Sequence, residues 1–139
     1  MTYAPRANST LSGKVRKNNK VTNTSTGLTR LVNATRYSLQ GLKAAWINEA
    51  AFRLELMLLV ILLPLALLLG NTAIERTLLI GSLFIVLIVE LLNSAIEAAI
   101  DRFGEEQHEL SGRAKDIASA AVFIALIQVL VVWLLILIN

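Results

Sequence analysis

Apolar and polar positions divide this chain into a polar opening and an almost wholly apolar remainder. Residues 1 to about 26 are rich in Lys, Asn, Thr and Ser and poor in large apolar groups. Such a composition cannot bury enough surface to offset chain entropy, so it predicts a basic disordered tail. From Leu28 the pattern changes. Leu28, Leu31, Val32, Leu39, Leu42 and Trp46 fall in a narrow arc at about 100° per residue, while Arg30, Asn33, Arg36, Gln40 and Lys43 lie elsewhere around the axis. This predicts an amphipathic helix over about 28–48 lying in a membrane surface. The plainer alternative, a helix packed on another soluble domain, has no such domain in this chain to receive it.

Three long apolar runs follow, over about 50–69, 74–100 and 117–138. The first reaches the roughly 20 residues that a bilayer needs only when 50–52 are included. Pro64 removes a backbone donor and is expected to bend it, and Gly70 with Asn71 should end it in a tight turn. Arg102, Arg113 and Lys115 lie in the polar segment 101–116, whereas the turn around Asn71 carries only Arg76. The positive-inside rule then puts the amino terminus and 101–116 in the cytoplasm and the carboxyl terminus on the periplasmic side. There is no internal repeat, no Gly-rich phosphate loop and no strand-like alternation. The fold class is all-α, a polytopic membrane protein of three spans with an amino-terminal surface helix.

Composition sharpens this picture at a few points. With 139 residues, 55% apolar and 17% charged, the chain is one unit on the apolar side of soluble proteins. Cysteine is absent and His108 is the only histidine, which excludes a disulfide framework and a structural zinc site. The net charge of +3 hides an asymmetry: residues 1–48 hold eight Lys or Arg and no acid, and all ten acids lie from Glu49 onward. A short basic arm leading into an apolar body suits an anionic membrane surface rather than nucleic acid. The first long apolar stretch begins near Leu56 with no cleavage site where a signal peptide needs one, so the first span is expected to stay in the membrane.

Against that apolar background one stripe stands out. Glu90, Asn93, Glu97 and Asp101 recur at i, i+3, i+7 and i+11 and project within about 60° of one another on the second span. A charge at a bilayer centre costs about 2.5–3.5 kcal/mol on insertion scales, so acids kept there face protein or a water-filled cavity. Glu90 lies roughly 15 Å deeper than Ile100, with Glu97 and Asp101 near the cytoplasmic surface. Two other readings stay open at this point. The stripe can simply hydrogen-bond across helices and fix assembly, or it can be a proton or cation pathway, whose partners at matching depth would be chiefly Ser119 and Gln128.

Two flanking segments add candidates. Glu49 and Arg53 have the i, i+4 spacing of a helical ion pair. Alternatively, Glu49 and Glu97 together can hold a hard cation such as magnesium, which takes carboxylate oxygens plus substrate phosphates. The stretch from Glu105 to Asp116 is denser in polar groups than a connector requires. Ser111 is expected to cap the third span's helix, with Arg113, Lys115 and Asp116 in its first turns. A solvated loop is the plain reading, and Lys115 meeting a polyphosphate as a point charge is the functional one.

Three blocks occur in order: Ala44-Ala45-Trp46-Ile47-Asn48-Glu49-Ala50-Ala51-Phe52-Arg53, then Glu90-Leu91-Leu92-Asn93-Ser94-Ala95-Ile96-Glu97 with Asp101-Arg102, then His108-Glu109-Leu110-Ser111-Gly112-Arg113-Ala114-Lys115-Asp116. Together they resemble the prokaryotic diacylglycerol kinase family across roughly 27–133, leaving only the basic tail outside. The resemblance implies a homotrimeric bacterial inner-membrane enzyme with composite sites shared between subunits. Its reaction would transfer the γ-phosphoryl group of ATP to the hydroxyl of diacylglycerol, giving phosphatidic acid, with Mg2+ as cofactor.

Carried over by position, the resemblance makes Glu90 the catalytic base, Asn93 a residue needed for activity, and Glu49 and Glu97 the metal-binding carboxylates. Arg30, Tyr37, Glu49, Glu97, Glu106, His108, Lys115 and Asp116 would contact nucleotide. Arg30, Lys43, Ala44, Ala45, Trp46, Glu90 and Ser119 would meet the lipid, and Gln107 carries no role. The related undecaprenol kinases share this fold and chemistry, but 47–53 resembles the diacylglycerol enzymes more closely. A non-enzymatic membrane scaffold would have no use for the Glu90 stripe.

Overall fold

The computed structural model describes residues 27–102 and 108–138, which form four helices: α1 (Gly27–Asn48), α2 (Ala50–Leu69), α3 (Ala73–Asp101) and α4 (Glu109–Ile138). No strand occurs among the described residues. The basic tail and residues 103–107, including Glu105, Glu106 and Gln107, lie outside them.

α3 is the element on which the others assemble, packing against α4 on one side and α2 on another, with α1 against α2. Its buried residues Leu79, Ser82, Leu83, Val86, Leu87, Glu90 and Ser94 recur at helical spacing. Leu83 and Leu87 meet Phe52 and Leu59 of α2 and Ala45 of α1, with Leu56, Leu62, Leu91, Val129 and Trp133 packed around them. On α4 the residues pressed inward are the small Ala118 and Ala125, which allow close backbone approach where apolar burial supplies little drive. Ser82, 2% exposed, satisfies its hydroxyl by donating to the Leu79 carbonyl at 2.7 Å.

α2, α3 and α4 are each long and apolar enough to cross a membrane, and large apolar side chains such as Leu68, Ile88, Phe123 and Leu135 stand outward along them. That is the arrangement of helices solvated by lipid, where internal backbone hydrogen bonds leave only apolar side chains facing out. α1 differs: only Ala45 is buried, while Leu28, Leu31, Val32 and Leu39 remain largely uncovered by the rest of the chain. A helix is thus present over the expected 28–48, with its apolar arc uncovered.

The expected spans over 50–69 and 74–100 agree with α2 and α3 to within a residue at each end. α2 continues unbroken through Pro64. The turn after it is set by packing rather than by handedness: Gly70 is extended, with φ −73° and ψ 119°. A Cβ there would lie 2.7 Å from Arg76 Cγ, because Arg76 folds back to donate from Nε to the Gly70 carbonyl at 2.9 Å. Thr72 then opens α3 with a capping box. Its hydroxyl accepts from the Glu75 N–H at 3.2 Å, while Glu75 Oε2 accepts from Asn71 N–H at 2.7 Å and Thr72 N–H at 3.4 Å.

The third span is corrected. The apolar run was expected over 117–138 and its helix to start behind a Ser111 cap, whereas α4 begins at Glu109, three residues earlier. Hydropathy marks where a helix enters lipid, and the polar turn from Glu109 to Asp116 is helical without being apolar. Ser111 accordingly lies inside the helix. His108 takes the capping place: its Nδ1 accepts from the Leu110 N–H at 3.2 Å, and its carbonyl from Ser111 and Gly112 at 2.9 and 3.1 Å.

Candidate active site

The polar stripe occupies one line along α3 and changes character with depth. Glu90 is buried, 3% exposed, Asn93 and Glu97 are half-buried, and Asp101 is exposed. Asn93 donates from Nδ2 to Glu97 Oε1 at 3.1 Å, which fixes that carboxylate and leaves its other oxygen available. The buried Asn93 Oδ1 has no partner among the described residues. No described side chain hydrogen-bonds Glu90, yet it lies within electrostatic reach of both Glu49 and Glu97. Glu90 therefore has two other carboxylates as electrostatic neighbours along the upper part of α3.

Glu49 reaches this position because α1 ends at Asn48 and the chain turns through an extended Glu49, with φ −106° and ψ 112°, before α2 starts. It lines a groove of about 650 Å³ between α1 and α3, together with Ser38, Ala45, Leu91, Ser94 and Ala98. Ser94 adds a buried hydroxyl with no partner among the described residues. A second, apolar cavity of about 510 Å³ lies deeper between α1, α2 and α3, lined by Lys43, Trp46, Phe52, Phe84, Leu87 and Leu91 among others. Lys43 and Trp46 thus stand at its rim, and Ala44 and Ala45 on the polar groove.

The expected Glu49–Arg53 ion pair is not formed. Arg53 instead donates from one guanidinium nitrogen to the carbonyls of Trp46 at 3.0 Å and Ile47 at 3.1 Å. The reason is the break at Glu49: it leaves the last carbonyls of α1 without helical partners, and a cation placed over them meets both those acceptors and the negative end of the helix dipole. Glu49 is left facing the groove rather than Arg53.

The nucleotide-side candidates are only partly assembled. Lys115 pairs with Asp101 and lies within electrostatic reach of Glu97. His108 and Asp116 are exposed at the start of α4, Ser119 is exposed one turn further on, and Glu106 lies outside the described residues. Arg30 and Tyr37 sit in the first half of α1. They are nineteen and twelve residues before Glu49, or about 28 and 18 Å along a helix, while Ser38, next to Tyr37, lines the groove with Ser94 and Ala98.

One residue was missed by pattern reading. Glu55 of α2 lies within electrostatic reach of Glu90, and its buried Oε2 has no hydrogen-bond partner among the described residues. The signal was present: Glu55 stands three after Phe52 and four before Leu59, on the face those residues bury. Ser94 was also passed over, although it follows Glu90 by one turn.

Oxygen donors dominate this arrangement. Among the described residues no three His, Cys, Asp or Glu side chains form a complete cation site. Glu49 and Glu97 alone would leave most positions on a hard cation to phosphate oxygens and water, which is how magnesium is generally bound. The donor set therefore fits an ion brought in with a polyphosphate.

Comparison with known proteins bears on the same residues. A model of the prokaryotic diacylglycerol kinase family matches residues 36–137. A diacylglycerol kinase of Haemophilus influenzae is 60% identical over 108 residues, covering 78% of this chain and 92% of its own length. One from Escherichia coli strain K12 is 55% identical over 115 residues, covering 83% and 94%, and one from Helicobacter pylori strain 26695 is 46% identical over 107, covering 77% and 84%.

Proposed function

The chain belongs to the prokaryotic diacylglycerol kinase family, and from that premise we propose that the carboxylate stripe of α3 is where it transfers phosphate from ATP to diacylglycerol. It is a membrane-embedded kinase that phosphorylates diacylglycerol. Kinases of this kind use ATP, generally with a divalent metal. The identity of that metal as magnesium, the residues and the side of the membrane are our assignments.

The observation that carries the reading is a buried Glu90 with two further carboxylates, Glu49 and Glu97, around it. Such a cluster is costly at membrane depth and has a use only if something positive, or something that gives up a proton, arrives there. Glu90 accepts the proton of the diacylglycerol hydroxyl as that oxygen bonds to the γ-phosphorus and ADP leaves. Asn93 holds Glu97 in place through its amide, and Glu97 and Glu49 hold magnesium, whose role when bound is to neutralise the phosphate charge. Ser94, with its unpartnered hydroxyl, offers a donor in the groove beside Glu49. Lys115 meets the polyphosphate as a point charge. Phosphoryl transfer relies on positioning and charge neutralisation, so no phosphate loop is required.

The lipid approaches from the side of the apolar cavity beneath Trp46 and Lys43. The basic residues of α1 and of 101–116 favour the cytoplasmic side of the inner membrane for this end of the bundle. Three spans are too few to enclose the polar stripe, which must find protein neighbours rather than lipid, and this favours a homotrimer whose sites are completed by a neighbour.

The test is labelled ATP with the purified protein in mixed micelles containing diacylglycerol, titrated with magnesium. Label should enter phosphatidic acid in proportion to bound magnesium. Glu97→Gln should raise the magnesium requirement by more than about tenfold, since even groups behind a metal ligand cost that much. An unchanged magnesium titration would remove Glu97 from the metal.

A further inference from the structure

We propose that Asp101 is a positioning residue for the phosphate donor: it holds the Lys115 ammonium over the upper end of the carboxylate stripe, so that this charge is in place before the polyphosphate arrives. The proposal rests on the reading of Lys115 as a nucleotide contact. Asp101 ends α3, and Lys115 lies in the second turn of α4. Their ion pair joins the two helices on either side of residues 103–107.

Register makes the pair more than a tie between helices. Asp101 follows Glu97 by four residues and so sits directly above it on the same face. Lys115, drawn to Asp101, comes within electrostatic reach of Glu97 as well. The lysine is thereby held beside the residue assigned to the metal. An ammonium has three donors and Asp101 engages one, leaving two for phosphate oxygens. The side chains are 38% and 65% exposed for Lys115 and Asp101, so an incoming polyphosphate can reach the ammonium without breaking the pair. A four-carbon stem otherwise samples many rotamers, and fixing it on binding would cost affinity. A carboxylate near phosphates would merely repel them unless it served to hold a cation.

The plain alternative is a surface ion pair that steadies the α3–α4 connection, and the two readings separate in kinetics. Full-length Asp101→Asn, Asp101→Glu and Lys115→Met proteins are compared in mixed micelles for ATP KM, diacylglycerol KM, kcat and thermal midpoint. Asp101→Asn should raise the ATP KM by about two- to fivefold, the range an exposed ion pair allows. Diacylglycerol KM and the thermal midpoint should stay at parental values, and Asp101→Glu should recover most of the ATP affinity. In a Lys115→Met background, Asp101→Asn should have no further effect on ATP KM.

The proposal is overturned if Lys115→Met raises the ATP KM and Asp101→Asn does not, or if Asp101→Asn lowers stability and all kinetic parameters together. An equal effect of Asp101→Asn with and without Lys115 also overturns it. If Lys115→Met itself leaves ATP KM unchanged, the nucleotide assignment of Lys115 has failed and the proposal falls with it.

Discussion

Replacing Glu90 by glutamine separates chemistry from architecture, because the two predict opposite signs for activity and stability. The side chain is 3% exposed on α3 and has Glu49 and Glu97 as charged neighbours. Glutamine keeps its volume and removes only the oxygen able to take a proton. A positioned general base contributes typically 10²–10⁴-fold, so kcat should fall by about that factor, equivalent to roughly 3–5 kcal/mol of barrier. Stability should hold or rise, since the variant loses one of three clustered like charges at a depth where ionised groups are costly. Both quantities are read on one preparation, label transfer from ATP to diacylglycerol for the first and the thermal midpoint in the same micelles for the second. A kcat within about threefold of the parent would refute the base assignment. Loss of activity in step with loss of stability would instead make Glu90 a structural group.

Two further substitutions test the scaffold that holds the site. Arg53→Met removes the guanidinium from the Trp46 and Ile47 carbonyls and should destabilise the end of α1 by about 1–2 kcal/mol. Faster amide exchange over 45–48 would register this, and unaltered protection there would mean that Arg53 does not cap α1. Gly70→Ala places a Cβ 2.7 Å from Arg76 Cγ and 3.1 Å from the Ala66 carbonyl oxygen. The expected cost is about 1–3 kcal/mol, seen as a lower thermal midpoint, with kcat of the folded protein retained because this turn lies at the far end of α3 from the stripe. A midpoint equal to the parent's would show that Arg76 moves aside freely.

The helices were largely legible because each is written in one strong pattern. Continuous apolar runs mark α2 and α3, and the arc from Leu28 to Trp46 marks α1. What hydropathy hides is helix that continues into water. α4 begins at Glu109 because His108 satisfies its first amides, and nothing in the charge pattern separates that turn from a loop. The stripe was legible for the opposite reason: acids stand out in an apolar span, and helical spacing alone puts Glu90, Asn93, Glu97 and Asp101 in line. Partners were not legible. Arg53 was expected on Glu49 from i, i+4 spacing, but that rule assumes an intact helix, and the chain breaks between Asn48 and Ala50. Glu55 escaped notice because it sits near the start of α2, where an acid passes for an interfacial residue, although its neighbours Phe52 and Leu59 bury that face.

How many chains a working site needs is open to a direct test. α3 orders the stripe by depth, with Glu97 about 10 Å above Glu90 and Asp101 about 6 Å higher again. α1 is one uninterrupted helix from Gly27 to Asn48, so Arg30 stays about 28 Å of helix from Glu49. In a homotrimer with composite sites, Arg30 of one subunit would contact the nucleotide that Glu97 and Lys115 of its neighbour hold. Mixing gives this a number. At magnesium well below the Glu97→Gln requirement, Arg30→Ala and Glu97→Gln proteins should each be nearly inactive alone. After co-reconstitution in equal amounts with random exchange, a site is intact when the subunit supplying Arg30 carries only the Glu97 change and the subunit supplying Glu97 carries only the Arg30 change. Each condition holds half the time in a cyclic oligomer, so about one quarter of parental activity should return. No recovery, under conditions where a fluorescence assay confirms subunit exchange, would mean that both residues act within one chain.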